Sequence, residues 1–135
     1  MSKVKALAKF LGVSEKEAQK LIKDEDYLVL TDDEADKKTE EEIRQSLWAF
    51  NADFIAEHCK NTEKMDSYEY DDFIESLKIV QSQQAESANG FILALIDDLD
   101  EFIDDAIYAD GRGHFLSRYD GRENEQDGYF IYRQN

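Results

Sequence analysis

The stretch Phe91–Ala109, FILALIDDLDEFIDDAIYA, followed at once by Asp110–Phe115, DGRGHF, decides how this chain is read. Wound at about 100° per residue, Ile92, Leu95, Ile96, Leu99, Phe102, Ile103 and Ala106 fall on one side of a helix, with the i, i+3, i+4, i+7 spacing of a buried stripe. The opposite side collects Asp97, Asp98, Asp100, Glu101, Asp104 and Asp105 over about 12 Å of axis, at a rise of about 1.5 Å per residue. No basic residue stands among them. Like charges at i, i+4, such as Asp97 with Glu101 and Glu101 with Asp105, cost a few tenths of a kcal/mol each. Acidic side chains late in a helix also oppose its dipole, so the face is kept against a small cost. It is either a solvated face that keeps the protein soluble or a surface that meets something positively charged.

At 135 residues the chain predicts one domain, large enough to bury about two thirds of its unfolded surface. A 41% hydrophobic and 12% aromatic content argues for a folded chain despite 36% charged residues. The lone cysteine excludes an internal disulfide framework and any multi-cysteine zinc site, and it fits a reducing cytoplasm. No apolar run approaches the length of a membrane span, and the start MSKVKALAKF lacks the features of a secretory signal, which predicts a soluble intracellular protein.

The net charge of −16 is uneven: Met1–Lys23, with six Lys and two Glu, carries +4, which leaves −20 on the rest. An acidic body of this kind repels nucleic acid and anionic membranes and favours positively charged partners.

Ser2 is placed to cap a first helix bearing Val4, Leu7, Ala8 and Leu11, and Gly12 to end it in a left-handed conformation. Ser14 and Glu17 begin a second helix with Ala18, Leu21 and Ile22, and Val13 is placed as its hydrophobic staple. The unit resembles a helix-turn-helix DNA reader in its Ala8, Gly12, Val13, Ala18 and Leu21 framework. The segment of its reading helix, Ser14–Asp26, however, brings five acidic residues and neither Arg nor Asn for base edges. Tyr27–Leu30 is an apolar run too brief to assign as strand or extended connection.

Thr31 with Glu34 and Thr39 with Glu42 read as capping boxes. Asp32, Asp33, Glu34, Asp36, Glu40, Glu41 and Glu42 form a second acidic patch in a segment, 24–42, of charge −8. Ile43, Leu47, Phe50 and Phe54 mark a helix or a pair of helices broken near Asn51. His58 and Cys59 are adjacent, which on a helix points them about 100° apart and makes them a poor metal pair. Tyr70, Phe73, Ile74, Leu77 and Val80 mark a further amphipathic helix.

Past Ala109 the pattern changes. Phe115, Ser117 and Tyr119 alternate with His114, Leu116 and Arg118, two DG pairs follow at Asp120 and Asp127, and an aromatic run ends the stretch. This predicts a C-terminal β-hairpin or three-stranded meander packed on the helices. Gly111 and Gly113 permit left-handed backbone or close approach of another group. Arg112, His114 and Arg118 either satisfy nearby carboxylates or form a small anion site with loop N–H groups. No nucleophile has a base beside it and no phosphate- or dinucleotide-binding fingerprint is present, so the chain is read as non-enzymatic, with no cofactor and no metal.

Asp110–Asn135, DGRGHFLSRYDGRENEQDGYFIYRQN, resembles the ending of a family of small acidic proteins of bacteriophages and prophages. The resemblance extends upstream through Leu28–Asp36, LVLTDDEAD, and Ser46–His58, SLWAFNADFIAEH, and covers roughly residues 27–135. It implies a viral or prophage origin and a bacterial host cytoplasm, and it implies no chemistry.

The expected architecture is a mainly helical α+β single domain with a basic two-helix headpiece (1–23), an acidic helical body (24–109) and a C-terminal antiparallel hairpin (110–135). The expected function is that of an acidic interaction protein engaging a positively charged host protein, most sharply as a DNA mimic that inhibits a nucleic-acid-binding defence enzyme. The alternatives are a virion-associated or accessory structural protein whose acidity serves solubility, and a helix-turn-helix regulator. If the C-terminal segment is a structural lid, truncation before Asp110 yields an aggregating or molten chain. Circular dichroism and size exclusion check this, and a cooperative melt with a monodisperse peak would refute it.

Overall fold

The computed structural model describes residues 2–135 and is mainly helical with a three-stranded antiparallel sheet. The chain forms two compact units: residues up to Glu42 together with Ile107–Asn135, and Ile43–Ala106.

In the first unit, α1 (Lys3–Leu11) starts where Ser2 Oγ accepts from Lys5 N at 3.1 Å, and stops at Gly12, whose φ of +70° no β-carbon obstructs. Ser14 caps α2 (Glu15–Lys23) through Glu17 N. The short run 27–30 is strand β1 (Tyr27–Leu30). It pairs antiparallel with β3 (Tyr129–Arg133), Tyr27 opposite Arg133 and Leu30 opposite Phe130. Strand β2 (Asn124–Gln126) takes the other side of β3. The turn between β2 and β3 is Asp127–Gly128, with φ of +54° and +82°, the two positive values of a type I′ hairpin.

The sheet is packed on both faces. Val29 and Ile131, with Tyr27 and Tyr129 beside them, meet Leu7, Ala8 and Ala18 of the two-helix headpiece. Leu28, Leu30, Phe130 and Tyr132 meet Ala35 of α3 (Asp32–Gln45) and Leu116 of α8 (Arg112–Leu116). Alternating side chains on two buried faces explain why Tyr129–Tyr132, YFIY, reads as an unbroken apolar run.

Several expectations are corrected. The segment from Arg112 is a helix, not the start of a strand, and the hairpin turns at Asp127 and not at Asp120. Asp120 Oδ1 instead accepts from Ser117 Oγ and from Arg122 N, both at 3.0 Å, closing a local turn. The third strand comes from residues 27–30 rather than from a C-terminal meander. Thr39 is no cap: it is fully buried within α3, and its hydroxyl donates to Ala35 O. Gly111 takes φ +82°. Gly113 is required for a different reason, since a β-carbon there would lie 2.6 Å from Gly121 O and 2.7 Å from Arg122 C.

In the second unit the helix pair broken near Asn51 is present as a 3₁₀ turn, Leu47–Ala49, and α4 (Ala52–Glu57) capped by Asn51. Backbone groups freed at the break are taken by amides of later helices. Gln81 of α5 (Ser67–Gln84) donates to Trp48 O and Phe50 O, while Asn89, which opens α6 (Asn89–Leu95), accepts from Trp48 N and donates to Gln45 O.

The stretch expected to be one helix is two. α6 ends before an extended Ile96 that bridges to Cys59, and α7 (Leu99–Asp110) begins after Asp98. Lys60 N donates to Leu95 O and Asp97 N to His58 O, so the backbone groups of the break are paired across to the end of α4. Ile92, Ile96, Phe102, Ile103 and Ala106 are nonetheless buried, whereas Leu95 and Leu99 are only half-buried.

Phe102 is fully buried, its ring edge-on to Phe50 and Phe54 at 5.1 and 5.0 Å. Phe102→Ala is therefore expected to cost roughly 3–5 kcal/mol, the range for emptying a packed aromatic site. Leu99→Ala should cost clearly less, because its side chain is already partly in water. Urea melts of the two variants check the order; equal losses would refute it.

Candidate functional site

The six carboxylates read as one helical face are all exposed, but they do not share one helix. Asp97 and Asp98 lie in the break, and Asp98 Oδ1 accepts from Glu101 N at 3.1 Å, which makes it the cap of α7. Asp100 and Glu101 then sit in the first turn, where a negative charge complements the helix dipole instead of opposing it. Only Asp104 and Asp105 keep the expected mid-helix placement. On this face Asp105 Oδ2 lies 3.2 Å from His58 Nε2.

The second patch is partly consumed by the fold. Arg112, with a side chain 12% exposed, donates Nη1 to Asp32 Oδ1 (2.9 Å) and Asp36 Oδ1 (2.8 Å) and Nε to Glu123 Oε1 (2.8 Å). Tyr132 donates its hydroxyl to the same Glu123 oxygen, and the Arg112 guanidinium lies 4.7 Å over the Phe130 ring. Burial works against the Arg112 charge, but the hydrogen bonds it donates to Glu123, Asp32 and Asp36 outweigh it and raise its pKa further. For Tyr132, burial and then Glu123 push the phenol well above its ordinary range.

Glu34 completes a reciprocal box with Thr31 and is paired with Lys3 at 2.8 Å. The Lys3 hydrogen bond and the Thr31 N–H hold its carboxyl down to about 2. Asp33, Glu40, Glu41 and Glu42 complete the patch; Glu40 and Glu42 are only half-exposed.

The three residues considered for an anion site each have their own surroundings. Arg112 is engaged by carboxylates, the exposed His114 ring meets its neighbour Phe115 edge-on at 4.9 Å, and Arg118 lines a separate cleft with Lys38, Glu25 and Glu42.

An arrangement that sequence spacing missed lies at the end of α4. His58, Glu101 and Asp105 bring an imidazole nitrogen and two carboxylates together, and Glu57, Glu63, Asp97 and Asp98 rim the same cleft. The i, i+4 spacing of Glu101 and Asp105 was legible, but the imidazole that joins them stands 43 positions before Glu101, beyond any local pattern. Cys59 Sγ donates to Ile55 O, and burial pushes the thiol up to about 11. No helix among the described residues is long and apolar enough to cross a membrane.

No protein family, curated protein or solved structure matches this chain at a significant level.

Arg112→Ala is expected to destabilise the first unit by about 1.5–3 kcal/mol, the range for hydrogen bonds to charged groups. The larger loss of a fully buried pair does not apply, because Asp32 and Asp36 are 66% and 62% exposed. Arg112→Lys recovers only part, since an ammonium lacks the planar fork. Urea melts at neutral pH check both; an unchanged midpoint for Arg112→Ala would refute the role.

Proposed function

We propose that this is a non-enzymatic, phage-encoded interaction protein whose α7 face engages a positively charged host protein, most sharply the nucleic-acid-binding groove of a defence or DNA-processing enzyme. The observation that carries this reading is the spacing of the exposed charge. Asp100, Glu101, Asp104 and Asp105 rise over about 7.5 Å of α7, roughly one carboxylate per 2 Å. Duplex DNA presents about one charge per 1.7 Å of axis, so a basic groove meets a similar density on either.

Two further facts support the choice of this face. Lys3 and Arg112 already neutralise part of the Asp32–Glu42 patch, whereas among the described residues the α7 face has His58 alone as an internal partner. The net charge of −16 also steers encounter with cationic partners and keeps phosphate backbones away. The resemblance of residues 110–135 to the endings of small acidic phage proteins favours a host protein as the partner.

The test is capture from bacterial lysate at low and high salt, with duplex DNA as competitor. An Asp97→Asn, Asp100→Asn, Asp104→Asn variant serves as control and leaves the Asp98 cap and the His58–Asp105 pair intact. The expected result is a nucleic-acid-binding protein that is released by salt and by DNA and is missing from the variant's eluate. Capture of virion components alone, retention of DNA by the protein itself, or equal capture by the variant would each overturn the proposal.

A further inference from the structure

We propose that His58, Glu101 and Asp105 form a binding site for a divalent transition-metal ion, with Zn²⁺ as the best match to the donor set. This goes beyond the interaction surface proposed above and draws on two of its carboxylates, Glu101 and Asp105; the metal titration below tests it without any protein partner. Each of the three offers one donor atom, and the three atoms lie within 4.8 Å of one another. His58 Nε2 and Asp105 Oδ2 are 3.2 Å apart. Zinc bonds of about 2.1 Å in a tetrahedron imply ligand atoms about 3.4 Å apart, so the three atoms need close by no more than about 1.4 Å to hold an ion.

The imidazole separates this cluster from ordinary surface acidity. Its side chain is only 10% exposed, held between the rings of Phe54 at 5.1 Å and Phe102 at 5.2 Å, with Nε2 turned to the carboxylates. A nitrogen donor fixed in this way is of little use to Mg²⁺ or Ca²⁺, which take oxygen ligands, and suits zinc-class ions.

The second segment is equally fixed. Asp97 N donates to His58 O at 2.8 Å, Lys60 N donates to Leu95 O at 2.9 Å, and Cys59 bridges Ile96. The end of α4 and the start of α7 are thereby tied together before any ion arrives, which lowers the cost of assembling the ligands. Asp98, spent on the α7 cap, leaves Glu101 and Asp105 as the i, i+4 pair that faces the imidazole. The cleft has a volume of about 360 Å³, and its two carboxylates, Glu101 and Asp105, are exposed. That leaves room for water in the fourth position, while the acidic rim raises the local cation concentration. Asp32, Asp33 and Asp36 also cluster, but they have no nitrogen donor, and Arg112 already holds two of them.

The test is calorimetric titration of the full chain with ZnCl₂, repeated in excess MgCl₂. One ion per chain is expected to bind, little affected by Mg²⁺. His58→Gln should weaken binding by at least about tenfold, the lower bound for losing even an outer partner of a metal ligand. Glu101→Gln with Asp105→Asn should do the same, whereas Asp104→Asn, which removes a neighbouring charge and no ligand, should leave binding unchanged. If His58→Gln fails to fold, the wild-type imidazole resonances decide. His58 signals must shift with the calorimetric saturation, and those of His114, the other histidine, must not. Failure to saturate, equal competition by Mg²⁺, binding indifferent to His58→Gln, or an unmoved His58 ring would overturn the assignment.

Discussion

The pairing of β1 with β3 is the constraint on which the first unit depends. Tyr27–Leu30 is too short to persist alone, and so is the β2–β3 hairpin; each becomes stable only because β3 sits between the other two strands with both of its faces covered. Ile131 and Tyr132, adjacent in the chain and both fully buried, face different helical layers. Aromatics of their neighbourhood bury about 150–250 Å² each when packed, so this one strand accounts for a large share of the apolar area on both sides. Arg112 acts around the same strand, with its guanidinium over Phe130 and its Glu123 partner shared with Tyr132.

What could be read from the amino acids alone was whatever is decided locally. Ser2, Gly12, Ser14, Thr31 and Asn51 act through hydrogen bonds within a few residues, and their roles were legible. The buried stripe of Ile92, Ile96, Phe102, Ile103 and Ala106 was also legible, but it concealed the break at Ile96. An extended residue can keep its side chain in the core while its backbone leaves the helix, and apolar periodicity does not register the difference. The partner that draws Ile96 out is Cys59, distant in sequence. The DG pair at Asp120 shows the same limit, because it turns the chain through contacts with Ser117 and Arg122 without pairing strands. The imidazole beside Glu101 and Asp105 was hidden for the reason that hid the break: both arise where α4 and the α6–α7 junction meet.

Formal charge is a poor guide to field until internal pairing is subtracted. Among the acidic residues of 32–42, Asp32, Glu34 and Asp36 bond to Arg112 or Lys3, and Asp32 and Glu34 also lie at the positive end of α3. At the start of α7 the helix dipole plays a similar part for Asp98, Asp100 and Glu101. Acidity that looked like a uniform cost is in these places part of how the helices begin. Asp104 and Asp105 are the ones the helix itself does not repay.

The order in which the chain leaves the ribosome gives the sheet a further consequence. Residues 43–106 are contiguous and can collapse as soon as they emerge, whereas β1 must wait about a hundred residues for β3. During that interval Tyr27–Leu30 is an apolar segment with an unpaired edge, the kind of surface that chaperones hold and that misassembles at high concentration. The acidic residues that flank it, Asp24–Asp26 before and Asp32–Glu34 after, place like charge on both sides of the exposed strand and oppose its pairing with another copy until its own partner arrives.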